Sequence, residues 1–119
     1  MERGGGSGRL EIAVSHANGA RVVRLKGEFD LAGVPAFERE VGRDPGRHEK
    51  TLVLDMRELT FLDSSGLQAV LMADRAVQAD ARRCVIVRGP ERVNRVLELT
   101  GVEDRLELVD AFPPPEQTA

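Results

Sequence analysis

Leu62-Asp63-Ser64-Ser65-Gly66-Leu67 orders the rest of the chain, because an apolar strand signal leads into it and a helical one leads out. Upstream, Thr51-Leu52-Val53-Leu54-Asp55 is a short apolar run with polar ends, which predicts a strand over 52–55. Downstream, Leu67, Val70, Leu71 and Val77 recur at helical spacing, so a helix opens at the motif. The first N–H groups of a helix lack intrahelical partners, and its peptide dipoles leave partial positive charge there. A capping oxygen is therefore favoured at this point, and so is an anion. Two readings fit. In one, Asp63 or Ser64 is an ordinary N-cap and Gly66 is merely small. In the other, exposed hydroxyls sit beside a glycine whose missing side chain admits another protein's backbone. The pairing of hydroxyls with Gly66 favours the second.

Working outward, Leu10, Ile12 and Val14 alternate with polar residues, Asn18-Gly19 accepts positive φ, and Val22-Val23-Arg24-Leu25 follows, which together predict a hairpin. The span 30–43 carries Val34, Phe37 and Val41 on one helical face, and 43–50 reads as a polar loop. A strand is expected over 83–87. Pro90 suits the first position of a helix whose stripe is Val93, Val96 and Leu97, and Gly101 suits its left-handed exit. The span 106–109 reads as a short last strand. After the hairpin, the alternation of strand and helix favours parallel strands joined by right-handed crossovers, hence a mixed sheet. Residues 1–8 are glycine-rich and read as a flexible lead, 9–110 as the domain, and 111–119 as a proline-rich tail.

At 119 residues the chain is one domain, able to bury roughly two thirds of its unfolded surface. Its aromatics are only 3% of residues and all Phe, so the core must be aliphatic. A formal net charge of -3 argues against a general nucleic-acid binder, and Arg82, Arg83, Arg92 and Arg95 are interspersed with acids. No apolar run approaches the roughly 20 residues that span a bilayer, and no signal peptide is visible, so the expected location is the cytoplasm. Cys84, the single cysteine, lies in an apolar strand signal and reads as buried rather than reactive. Ser64 with His16 or His48 could form a hydrolase pair, but a nucleophile elbow needs glycine two residues before its serine, where Leu62 stands. There is no P-loop, dinucleotide glycine fingerprint or clustered Cys/His set, so neither a cofactor, a metal nor self-phosphorylation is expected.

The run from Val53-Leu54-Asp55 through Phe61-Leu62-Asp63-Ser64-Ser65-Gly66-Leu67, preceded by Gly27-Glu28-Phe29-Asp30-Leu31, resembles a STAS domain of the bacterial anti-sigma factor antagonist type. The resemblance covers about residues 9–110. It implies an α/β fold with a mixed four- to five-stranded sheet, an initial antiparallel hairpin and helices mainly on one face. It implies that Ser64 is the phosphoacceptor and that Glu28, Asp30, Asp63, Ser65, Gly66 and Leu67 belong to the partner-binding surface. Asp30 matches the family's acidic position in its Gly-Glu-Leu-Asp element, with Phe29 in place of leucine. The implied partners are an anti-sigma factor that is also a serine kinase, and a serine phosphatase, with no direct nucleic acid and no membrane. The chain would be a monomer or weak homodimer, and a substrate rather than an enzyme. Its unphosphorylated form would bind the anti-sigma factor and release a sigma factor, and phosphorylation would end that binding. An alternative within the same resemblance is a non-switching interaction module in a stress-signalling or lipid-transport assembly. Leu67 could be core or contact, and Asp55 reads as a structural strand end. The prolines at 113–115 imply that a final helix is lacking or short, so something else must cover that part of the sheet.

Overall fold

Asn18 and Gly19 turn with φ of 53° and 75°, joining β2 (Leu10–Ala17) to β3 (Ala20–Phe29) as the expected antiparallel hairpin. In this computed structural model, residues 2–7, 9–42 and 49–113 are described. From β3 onward the chain runs strand, helix, strand. After β3 come a short 3₁₀ turn (Leu31–Gly33) and α1 (Val34–Gly42), and then β4 (Thr51–Leu62) leads into α2 (Ser64–Ala79). Next are β5 (Arg83–Val87), α3 (Glu91–Thr100), a second 3₁₀ turn (Glu103–Arg105) and the two-residue β6 (Leu108–Val109). Strands β3 to β6 pair in parallel, each with the next.

Three expectations need correction. The lead over 1–8 is not featureless where it is described: β1 (Glu2–Ser7) pairs antiparallel with β2, Glu2 opposite Val14 and Ser7 opposite Leu10. The sheet is thus the expected mixed one with β1 added at its edge, six strands in sequential order. A glycine-rich segment has no side-chain alternation to announce a strand, yet its backbone groups can still complete a ladder. Second, β4 continues seven residues past Asp55. Exposed Arg57, Glu58, Thr60 and Phe61 interrupt its apolar pattern, while Met56, Leu59 and Leu62 hold it to the core across register shifts opposite β3. Third, Pro90 caps α3 from outside, at φ −62° and ψ 166°, and the helix starts one residue later. Gly101 is left-handed, as expected, at φ 72°.

The helices do lie on one face. Leu10, Ile12, Val23, Leu25, Leu52, Leu54 and Ile86 from the sheet share one core with Ala36 and Phe37 of α1, Val70 and Val77 of α2, and Val93 and Leu97 of α3. Phe29 meets Phe37 there at 4.9 Å between ring centroids. On the opposite face Ala20, Val22, Val53, Val85 and Val87 form a second apolar cluster, against which Val109 and Phe112 pack. An extended segment thus takes up part of the covering that a final helix would supply. Arg21, buried in β3, donates to the Glu40 carbonyl and lies 3.8 Å from its carboxylate, tying α1 to the sheet.

Candidate functional site

The site forms where β3 and β4 end side by side. Asp63 follows the last residue of β4 in extended conformation, and its N–H donates to the Phe29 carbonyl at 3.2 Å. Its carboxylate accepts from the Gly66 N–H at 2.9 Å, so Asp63, not Ser64, is the N-cap of α2. Capping by Asp63 leaves Ser64 as the first helical residue, exposed, with Ser65 half-buried behind it. The N–H groups of Ser64 and Ser65 belong to the first turn, where no intrahelical carbonyl stands to receive them. An oxyanion placed on the Ser64 hydroxyl would lie at the positive end of a 16-residue helix.

Asp30 arrives from the other side of the same hydrogen bond, since it follows Phe29. Its carboxylate caps the 3₁₀ turn by accepting from the Ala32 N–H at 3.1 Å. Glu28, paired in register with Phe61, is held by Arg9, whose Nη1 lies 2.8 and 3.0 Å from its two oxygens. Gly27 lets this corner close. It has φ of 98°, and a Cβ there would stand 2.1 Å from the Arg9 carbonyl oxygen. Thr60 Oγ1 donates to the Gly27 carbonyl. Of the residues expected at the partner surface, Asp30, Asp63 and Ser65 adjoin Ser64, and Glu28 lies one strand position further back, already paired with Arg9.

Gly66 and Leu67 have a different place. Both are buried, Leu67 at 5% exposure, so neither presents a side chain outward. A Cβ on Gly66 would fall 2.6 Å from the Phe29 carbonyl oxygen and 2.8 Å from Leu62 Cδ1. Its missing side chain is used by this chain's own backbone, which corrects the reading in which a partner approaches it. Leu67 is a core residue, which resolves the alternative left open for it.

Asp55 does not end its strand. It is buried on the face opposite the helices, where Arg57 Nε and Nη2 bind its oxygens at 3.1 and 2.9 Å and Arg24 Nε lies at 3.5 Å. Burial pushes its carboxyl up, but the hydrogen bonds and charge of Arg57, with the charge of Arg24, outweigh burial and hold it below the usual carboxylate range. Cys84 is buried as expected, and burial together with neighbouring Asp74 pushes its thiol up to about 12. His16 Nδ1 lies 3.1 Å from Glu49 in an exposed pair remote from Ser64 in the chain, and His48 is outside the described residues. Among the described residues no cluster of three His, Cys, Asp or Glu could hold a metal, and no helix is long and apolar enough to cross a membrane. The Phe29 carbonyl and Arg9 had no signature in the sequence, because one acts through its backbone and the other is an isolated surface arginine.

The STAS domain family model matches residues 11–113, nearly the whole described chain. The protein belongs to the STAS domain family. This STAS chain is 26% identical over 99 residues to the anti-sigma-F factor antagonist RsfB of Mycobacterium tuberculosis, covering 83% of this chain and 80% of the relative. It is 27% identical over 94 residues to the anti-sigma F factor antagonist of Paenibacillus polymyxa, covering 78% and 80%. In fold it is similar to an anti-sigma factor antagonist from Mycobacterium paratuberculosis, with a TM-score of 0.72 at 24% identity over 91% of this chain and 89% of that one. It also resembles the anti-sigma factor antagonist SpoIIAA in its unphosphorylated form, with a TM-score of 0.70 at 22% identity over 89% and 90% of the two chains. The phosphorylated form of SpoIIAA gives a TM-score of 0.64 at 21% identity, over 89% and 94%.

Proposed function

We propose that this STAS chain is an anti-sigma factor antagonist switched by phosphorylation of Ser64. Unphosphorylated, it binds an anti-sigma factor that is also a serine kinase, and a sigma factor is released to RNA polymerase. Phosphorylated, it dissociates, and a serine phosphatase resets it, all in the cytoplasm. The observation that carries this reading is the position of Ser64. It is exposed as the first residue of α2, between Asp63 and the Asp30 turn that the Asp63 to Phe29 hydrogen bond brings alongside. Relatives named as anti-sigma factor antagonists support it.

The physical step is local. A phosphate adds about -1.5 to -2 charges and three acceptor oxygens. The first-turn N–H groups of α2 can donate to those oxygens, so the domain keeps its fold. A partner seated against a neutral hydroxyl loses that fit and meets the added charge beside two carboxylates. Each ~1.4 kcal/mol lost weakens binding tenfold, so a few kcal/mol converts binding into release.

Incubation with a candidate anti-sigma factor kinase and ATP, followed by intact mass and peptide mapping, tests the assignment. One phosphate at Ser64 is expected, and none on Ser64→Ala. The alanine variant should bind the kinase as tightly as the unmodified chain, and Ser64→Glu should bind poorly. Modification at Ser65 would reassign the acceptor. Equal affinities for the alanine and glutamate variants would refute charge-controlled release.

A further inference from the structure

Asn18 and Asn94 are the two asparagines of the chain, and the fold treats them in opposite ways. Asn94 is half-buried in α3, and its Oδ1 accepts from the Gly89 N–H at 3.1 Å. Arg95, the residue after it, lies inside the helix, where the ladder takes up its N–H. Asn18 is exposed at the tip of the hairpin, and so is Gly19. Their φ angles of 53° and 75° are the left-handed pair that a two-residue hairpin turn requires. Among the described residues neither the Asn18 side chain nor the Gly19 N–H has a hydrogen-bond partner. The space beside Gly19 is open, with nothing within 4 Å of where a Cβ would stand.

We propose that Asn18 is a self-modifying site, at which the Gly19 nitrogen displaces the side-chain amide and water leaves a carboxylate on the turn. In the first step that nitrogen attacks the Asn18 side-chain carbonyl carbon. A C–N bond forms, the Gly19 N–H proton is lost, and the amide nitrogen leaves as ammonia, closing a five-membered imide. Water then adds to one of the two imide carbonyls. Opening at the side-chain carbonyl gives aspartate, and opening at the main-chain carbonyl gives isoaspartate, in which the chain continues through the side-chain methylene. Ring closure needs an N–H not engaged elsewhere, an amide free to turn onto it, and no side chain on the next residue in the way. Asn18 and Gly19 supply all three, whereas Asn94 and Arg95 supply none. The turn must leave its left-handed pair for the ring to close, and a hairpin tip held by the terminal pair of Ala17 with Ala20 opens at little cost. The two products then diverge. Asp-Gly suits the same turn as Asn-Gly, so the aspartate form keeps the hairpin. Asn18 also lines one recess with Thr51 and Arg83, so the new charge lies near a guanidinium. Isoaspartate lengthens the main chain inside a two-residue loop and loosens the pairing of Ala17 with Ala20. Ser64 is not involved: β3 is 10 residues long, which puts the turn roughly 30 Å from Asp30.

The test is prolonged incubation of the full chain at neutral pH, folded and in denaturing urea, with peptide mapping at intervals. Asn18→Gly, which keeps a turn that accepts positive φ and removes the amide, is the unreactive control. In the folded chain the Asn18 peptide should convert to aspartyl and isoaspartyl products at a rate within about tenfold of that in urea, because the tip opens almost freely. Asn94 should stay intact over the same period. On ion exchange the aged protein should show a more acidic form that aged Asn18→Gly lacks, and its isoaspartyl fraction should melt lower. A folded rate more than about tenfold below the urea rate overturns the proposal, since the turn would then protect its asparagine. Conversion of Asn94 as fast as Asn18 in the folded chain also overturns it, since exposure and the absence of partners would then not decide reactivity. Either result leaves the switching assignment at Ser64 standing.

Discussion

Gly66 shows how one absent carbon positions the site. Its Cα faces the Phe29 carbonyl and the Leu62 side chain so closely that a methyl group has no room. The neighbouring Asp63 N–H is bonded to that same carbonyl, so relief by moving the helix would break the bond that aligns Asp30 with Ser64. Gly66→Ala is therefore expected to destabilise the domain by about 1 to 3 kcal/mol, the usual cost of overpacking a tight contact. The gain in helix propensity, about 1 kcal/mol, offsets only part of that. Urea denaturation measures the net loss, and phosphorylation of Ser64 should slow in the same variant under conditions where it remains folded. An alanine variant as stable as wild type would mean that α2 rests on β3 less tightly than these distances require.

Helix α2 is the element on which site and core meet, and it carries one unsatisfied group. Asp74 is 6% exposed; its Oδ2 accepts from Gln78 Nε2 at 2.9 Å, while its buried Oδ1 has no hydrogen-bond partner. Replacing both partners of a buried polar pair by apolar groups is nearly neutral, whereas removing one leaves the other without its bond. Asp74→Leu relieves the unpaired Oδ1 but takes the acceptor from Gln78, which is exposed and can turn to water. It should therefore change stability by less than about 1 kcal/mol in urea melts and leave Ser64 modification unchanged, because Asp74 lies about three turns from the cap. The Cys84 thiol, held up partly by Asp74, should become easier to ionise in that variant, measurable as faster alkylation at high pH. The elements themselves were legible to different depths. Wherever an amphipathic period runs unbroken, as in β2 and α2, or an apolar run is continuous, as in β5, the sequence reads directly into structure. It fails for β1, whose glycines offer only backbone, and for the outer half of β4, where surface polarity masks the pattern. At the site, the cap and the outward serine were readable because capping chemistry is local. The burial of Gly66 and Leu67 was not, because it depends on Phe29, which lies far away in sequence.

Across the whole molecule the two faces of the sheet divide the work. The helix face holds the main core, and the opposite face is closed by the valine cluster with Phe112 at one end and by the Asp55, Arg24 and Arg57 network at the other. That network joins β3 to β4, the two strands whose ends carry Asp30 and Asp63, so it braces the platform from behind. It also makes the fold acid-sensitive in a definite direction. The folded carboxyl of Asp55 lies below its ordinary value of 3.8, so folding favours the ionised form. The resulting stability is fully present above 3.8 and is lost as pH falls through the lowered folded value. Asp55→Asn should cost about 2 kcal/mol at neutral pH, less than for a fully buried pair because both guanidiniums reach solvent. The gap between variant and wild type should stay constant from neutral pH down to the ordinary aspartate range and close only below it. Urea melts of both proteins across that range measure this. A gap that instead narrows well above 3.8 would place the carboxyl higher than its two arginine partners hold it.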